Sequence, residues 1–117
     1  MKVRDIIAVL EGNLLTGAEL LDVDIEAAFG ADLMSDVMAY VNESVMLLTG
    51  LINPQSIRTA DLMDIRVIVF VRGKVPGAEM VSEAQKNGMA VITTRHSMFI
   101  SCGILYERGI RRSGVRE

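Results

Sequence analysis

The chain has 117 residues, 50% of them hydrophobic and 23% charged, with a net charge of −3 and an isoelectric point near 5.1. This length fits one domain, and the apolar content excludes an intrinsically disordered chain. The acidic balance argues against a dedicated nucleic-acid-binding protein. The single cysteine excludes an internal disulfide and fits a cytoplasmic location, and no apolar run is long enough to span a membrane.

The first half of the chain predicts a small mixed unit of helices and strands. Apolar spacing and turn residues indicate a helix over 3–10, an edge strand over 13–17, a strand over 23–31 and a helix over 32–41. Asp32 is the expected N-cap of the last helix, and Leu33, Val37 and Tyr40 share one of its faces.

The second half predicts a regular alternation of strands and helices. Apolar, β-branched runs indicate strands over 44–49, 66–71 and 89–94, and helices are expected over 53–64, 76–88 and from 97 onward. Alternation with short loops is typical of right-handed crossovers and parallel strands. We therefore predict the α/β class, as a three-layer α/β/α fold with a mainly parallel sheet of about four to six strands.

Three turns follow the predicted parallel strands and carry the candidate ligand site. Ligands of open α/β sheets bind beyond the carboxyl ends of the strands, where hydroxyls, glycines and cations suit a phosphate or another anion. The alternative is that these are ordinary loop residues with solvated charges. The candidate ligand-binding residues are Thr49, Gly50, Arg72, Gly73, Lys74, Thr93, Thr94, Arg95 and His96.

Signatures of catalysis and of metal binding are weak. His96 is the only histidine, and without a neighbouring nucleophile or acid we interpret it as a structural or surface residue. Cys102 has no second cysteine or histidine cluster beside it, so we interpret it as a buried, inert thiol. Gly73 and Lys74 continue into Val75, which does not match a Walker loop. We expect no catalytic residues, no metal and no cofactor.

The charge of the chain is strongly asymmetric. Residues 1–64 carry eleven acidic and three basic side chains, whereas residues 65–117 carry four acidic and nine basic ones. This polarity, together with more apolar residues than a domain of this size can bury, favours a homodimer. A loose basic tail is expected at Arg108, Arg111, Arg112 and Arg116; we interpret it as solvated, and predict no nucleic-acid partner and no membrane contact.

The order of these elements resembles that of DRTGG domains over nearly the whole chain. The segments that carry the resemblance are residues 3–10 with Gly12, Leu15-Thr16-Gly17, residues 45–50, residues 67–73 with Pro76, residues 87–94, and Ser97-Met98-Phe99. The resemblance implies a fold similar to the N-terminal domain of HPr kinase/phosphorylase, and a single regulatory or assembly domain spanning 1–117. Gly50-Leu51-Ile52-Asn53 stands where the family has Gly-Asp-Arg, and Arg72-Gly73-Lys74 where it has Thr-Gly-Gly. The apolar Leu51-Ile52 pair fits a contact with another chain or an apolar ligand.

Three classes of function follow from these observations. The leading hypothesis is a non-catalytic regulatory or interaction domain that self-associates and senses a small anionic ligand or binds a protein partner. The alternative is a nucleotide- or phosphate-binding sensor built on the strand-end residues. A small enzyme ranks last, because the sequence offers no nucleophile–base pair.

Overall fold

A computed structural model describes residues 1–115 of the chain. The helices are α1 (Val3–Val9), α2 (Met34–Tyr40), α3 (Pro54–Leu62), α4 (Ala78–Lys86) and α5 (Met98–Glu107). The strands are β1 (Asn13–Thr16), β2 (Ala28–Gly30), β3 (Met46–Thr49), β4 (Val67–Phe70) and β5 (Ala90–Thr93), and a short 3-10 helix spans Ala18–Leu20.

The strands form one five-stranded sheet in the order β1-β5-β4-β3-β2. The four strands β2 to β5 are parallel, and β1 is antiparallel to β5 at the edge. Thr49, Phe70 and Thr93 are register partners across the three central strands, so the ends of these strands are level. The prediction of a mainly parallel α/β sheet is confirmed.

Helices cover both faces of the sheet. One core contains residues of α2, α3 and α4 packed on Leu47, Ile68 and Phe70, and the other contains residues of α1 and α5 packed on Leu48 and Val69. Strands β3, β4 and β5 are buried along their whole length, because each of their faces meets a helical layer. This is the three-layer arrangement that the sequence predicts.

Two of the predicted helix starts carry a side chain that caps the helix. Asn53 accepts a hydrogen bond from the Gln55 amide at 2.8 Å and precedes Pro54, and Ser97 accepts one from the Ile100 amide at 3.2 Å. The helix expected from residue 76 begins at Ala78 instead, with Gly77 as its N-cap.

The first half departs from its predicted boundaries. The strand expected over 23–31 is wrong except at Ala28–Gly30, because the preceding segment bonds to α1: the Val3 amide donates to the Val23 carbonyl. The helix expected from residue 32 begins at Met34, and Asp32 is not its N-cap. Val37 is buried in that helix, but the predicted common face is wrong, because Leu33 and Tyr40 are 63% and 61% exposed.

The basic segment after α5 is docked rather than loose as far as residue 115. The backbone of Arg112 bridges to Ala27, and its guanidinium binds both carboxylate oxygens of Glu43 at 2.6–2.7 Å. The Asn42 amide also donates to the Gly114 carbonyl. The expectation of a loosening tail is therefore wrong for this stretch, and Arg116 lies outside the described residues.

Candidate functional site at the strand ends

All nine candidate residues lie at one edge of the sheet, the edge formed by the carboxyl ends of the parallel strands. Strands β3, β4 and β5 are adjacent and parallel, so the turns that follow them lie side by side. Because β1 runs the other way, its first residue, Asn13, and the preceding Glu11 are at this edge too. The topology thus adds two side chains that sequence spacing alone did not associate with the site.

The chain diverges at the ends of β4 and β5. After β4 it enters α4 on one face of the sheet, whereas after β5 it enters α5 on the other face. Such a divergence opens a crevice at the carboxyl ends of parallel strands. A crevice of about 270 Å³ is found there, and we call it the β5 crevice; its lining residues are Glu11, Asn13, Gly73, Val75, Thr93, Thr94 and Arg95.

The turn after β4 is held against the turn after β5. Arg72 and Gly73 both have positive φ angles, of 62° and 71°. This geometry points their amides at the neighbouring turn, where they donate to the carbonyls of His96 at 2.8 Å and Thr94 at 3.0 Å. The wall of the β5 crevice is therefore fixed by backbone hydrogen bonds, despite the left-handed conformation of a non-glycine residue.

Two cations beside the β5 crevice form no ion pair within residues 1–115: Arg95 lines the crevice, and Lys74 lies between the lining residues Gly73 and Val75. Lys74 and Arg95 are exposed, and the ion pairs formed within residues 1–115 involve neither of them. The His96 ring lies on the same side, with Nε2 3.8 Å from the Glu11 carboxylate. The charged side chains that line the crevice are thus Arg95 and Glu11, and Glu11 faces the histidine while Lys74 lies on the adjoining turn.

The three candidate threonines are all buried, and two of their hydroxyls form hydrogen bonds within the turns. Thr94 Oγ1 donates to the Leu10 carbonyl at 2.7 Å, and Thr49 Oγ1 accepts from the Leu51 amide at 3.1 Å. Both residues are buried, so these hydroxyls shape the turns and join β5 to α1. Thr93 lines the β5 crevice with Arg95.

Asp32 lies at the same edge of the sheet, beside the turn that follows β3. Its Oδ1 accepts a hydrogen bond from the Gly50 amide at 2.7 Å, and its Oδ2 lies 3.7 Å from Arg72 Nη2. An added Cβ at Gly50 would collide with the Arg72 guanidinium, so glycine leaves room for this pairing. The carboxylate of the chain itself thus takes the position at which an external anion was expected at Gly50 and Arg72.

Sequence reasoning missed this role because it assigned Asp32 to a helix cap. The signal available was its position directly after a strand at the same edge as the candidate turns. The neighbouring Leu51 and Ile52 are half-buried against the core under α2, α3 and α4. Their apolar character is thus largely explained by packing within the chain.

Cys102 is half-buried, and burial raises the pKa of its thiol. A thiol with a raised pKa carries less thiolate at neutral pH and reacts more slowly. Within residues 1–115, no group of three or more His, Cys, Asp or Glu side chains is placed to hold a metal ion. None of the helices in this part of the chain has the length and hydropathy that crossing a membrane requires.

One solved structure with a similar fold contains the CBS and DRTGG domains of the regulatory region of a Clostridium perfringens pyrophosphatase, complexed with the activator diadenosine tetraphosphate. The TM-score is 0.72 at 16% sequence identity, and the match covers 89% of this chain and 45% of that chain. At this identity the likeness establishes the fold, and it supports a DRTGG-like one. No protein-family model matches the chain, and no curated protein matches it.

Proposed function

We propose that the protein is a non-catalytic regulatory domain of the cytoplasm that self-associates and senses a small anionic ligand in the β5 crevice. The observation that carries the proposal is a pair of cations that form no ion pair within residues 1–115: Arg95, which lines the crevice, and Lys74, which lies between its lining residues Gly73 and Val75. The walls of this crevice are fixed by hydrogen bonds. A preformed crevice beside two cations at the ends of parallel strands favours a phosphate or carboxylate ligand.

The structural neighbour supports a ligand-controlled role. It is a regulatory region, and the activator in its complex is a polyphosphate nucleotide. A phosphate ester or nucleotide is accordingly the ligand class that we propose for this chain.

The geometry around His96 favours binding over catalysis. Its ring faces Glu11, while the neighbouring Thr94 hydroxyl accepts a hydrogen bond from the His96 amide and donates one to the Leu10 carbonyl. A general base needs the proton of a nucleophile or substrate within hydrogen-bond reach of the ring, and within residues 1–115 no such pair is formed.

Removal of both cations should reduce the stabilisation of the protein by its ligand. We expect a phosphate-containing ligand, screened from nucleotides and phosphorylated metabolites, to raise the melting temperature of the wild type by several degrees at about 100 times its Kd. Lys74→Gln with Arg95→Gln should weaken its binding at least tenfold, because a charge-assisted hydrogen bond contributes about 1.5–3 kcal/mol.

Lys86→Gln is the matched control, since Lys86 is exposed at the far end of α4 and leaves the crevice untouched. Differential scanning fluorimetry followed by calorimetric titration measures both effects. The anion-sensing part of the proposal fails if no such compound shifts the melting temperature, or if the double variant and the Lys86 control bind alike.

The self-association part rests on the surface of α5. Residues 98–106 contain no charged side chain, and Phe99 and Ile100 are 82% and 45% exposed. Gly103 lies between them and Tyr106, and no atom of residues 1–115 outside the helix backbone lies within 4 Å of a Cβ added there, which would allow a second helix to approach closely. An exposed apolar helix face of this kind is typical of association surfaces.

A polar residue at position 99 should dissociate the dimer. We expect light scattering after size exclusion to give a mass of twice 12.8 kDa for the wild type and a single-chain mass for Phe99→Ser. Leu62→Ser is the control, because Leu62 is 74% exposed on α3, on the opposite face of the sheet, and this variant should stay dimeric. A wild type that is monomeric at high concentration would refute self-association.

A further inference from the structure

A second cleft lies between strand β2 and helix α5 and shares no residue with the β5 crevice. It has a volume of about 270 Å³. Its lining residues are Ala28, Gly30, Leu48, Cys102, Leu105, Tyr106, Ile110, Arg111, Arg112 and Ser113. We propose that this cleft is a binding site for a small amphipathic anion, with a flat apolar body and one carboxylate, sulfonate or phosphate group.

The floor of the cleft is apolar and built from small residues. Gly30 is the register partner of Leu48, and Ala28 lies two residues before it on the same face of β2. A Cβ at Gly30 would come within 2.9 Å of the Met98 sulfur and 3.3 Å of the Cys102 sulfur. Helix α5 therefore approaches β2 closely at Gly30, and Leu105 and Ile110 complete an apolar wall that suits a flat hydrocarbon ring.

The mouth of the cleft carries one cation that is free of carboxylates. The Arg111 guanidinium lies 5.1 Å from the centre of the Tyr106 ring, and its Nε donates to the Tyr106 carbonyl at 3.1 Å. Within residues 1–115 it makes no ion pair, whereas Arg112 is committed to Glu43 and Glu26. A guanidinium held in place by stacking and one hydrogen bond keeps its remaining donors for an anionic group.

The walls of the cleft are formed before any ligand binds. The Ala28 amide donates to the Arg112 carbonyl at 2.9 Å, and the pairing of Arg112 with Glu43 fixes the segment that carries Arg111. The volume lies just below the range of about 300–1,000 Å³ that is usual for ligand pockets. The occupant is therefore an organic acid with one or two rings.

Cys102 gives a direct readout of occupancy, because its sulfur lines the cleft. Naphthalene-1-sulfonate serves as the probe, and the rate of Cys102 alkylation by the neutral reagent N-ethylmaleimide is measured with and without it. We expect at least fivefold protection at saturating probe. Arg111→Gln should weaken probe binding about tenfold, and Ala28→Leu should remove the protection by filling the floor.

Two matched controls separate this site from the rest of the surface. Arg108→Gln removes an exposed arginine outside the lining, and Ala39→Leu adds the same side chain on the exposed side of α2, so both should keep full protection. Lys74→Gln with Arg95→Gln should also bind the probe normally, which keeps this result independent of the proposed anion sensing.

The proposal is overturned if the probe does not slow alkylation, or if Arg111→Gln and Arg108→Gln have equal effects. It is also overturned if Ala28→Leu leaves the protection unchanged, because the probe would then bind outside the cleft. Circular dichroism of each variant establishes that it is folded, and Arg111→Gln alters only an exposed side chain.

Discussion

Gly17→Ala should lower the free energy of unfolding by more than about 3 kcal/mol, a large share of the roughly 5–15 kcal/mol that stabilises a domain. Gly17 has a φ of 97°, which disfavours any residue with a side chain. An added Cβ would also collide with the Ala90 Cα and lie 2.8 Å from the Met89 carbonyl oxygen. These are backbone atoms at the start of β5, so rotation of a side chain cannot relieve the contact.

Gly88→Ala is the control for the conformational part of this effect. Gly88 also has a positive φ, of 70°, but nothing lies within 4 Å of a Cβ added there. We expect Gly88→Ala to lower the free energy of unfolding by only about 1–2 kcal/mol. Urea unfolding followed by circular dichroism measures both variants, and equal losses would contradict the close approach of Gly17 to β5.

Leu47→Ala should lower the free energy of unfolding by about 3–5 kcal/mol, because it leaves a cavity in a core that cannot fully collapse. Leu47 is 0% exposed on β3 and packs with residues of α2, α3 and α4. The loss of packing would loosen β3, which ends at Thr49 and precedes Gly50, two of the candidate ligand-binding residues.

The same substitution at Leu62 isolates the contribution of burial. Leu62 is 74% exposed on α3, so Leu62→Ala should change the stability by no more than about 0.5 kcal/mol. Both variants are compared by urea unfolding at one protein concentration. A Leu47 variant no less stable than the Leu62 variant would mean that the core on this face is packed differently.

The central fold could be predicted from sequence because its signals are local. The apolar run that ends at Thr49 and the β-branched run that ends at Val71 form strands buried on both faces. The helices expected from residues 53 and 97 begin at Pro54 and Met98, directly after their caps Asn53 and Ser97. Adjacent parallel strands then bring their turns together, whatever the details of the loops.

The remainder depends on contacts between residues that are distant along the chain. Asp32 reaches Gly50 across 18 positions, and Arg112 reaches Glu43 across 69. Neither pairing leaves a periodic pattern, so a helix cap and a loose tail were the predictions that local chemistry favoured. The same applies to Glu11, which joins the site only because β1 is antiparallel and begins at that edge.

The pairing of Asp32 with Gly50 and Arg72 has a consequence for which ligands the proposed site can select. Because the Asp32 carboxylate belongs to the chain, it competes with a ligand for Gly50 and Arg72 at an effective concentration of about millimolar or more. A ligand confined to the end of β5 avoids that competition, whereas a longer polyanion that extends toward β3 must displace the aspartate. Asp32 therefore limits the length of the ligand, although the preferred ligand does not contact it.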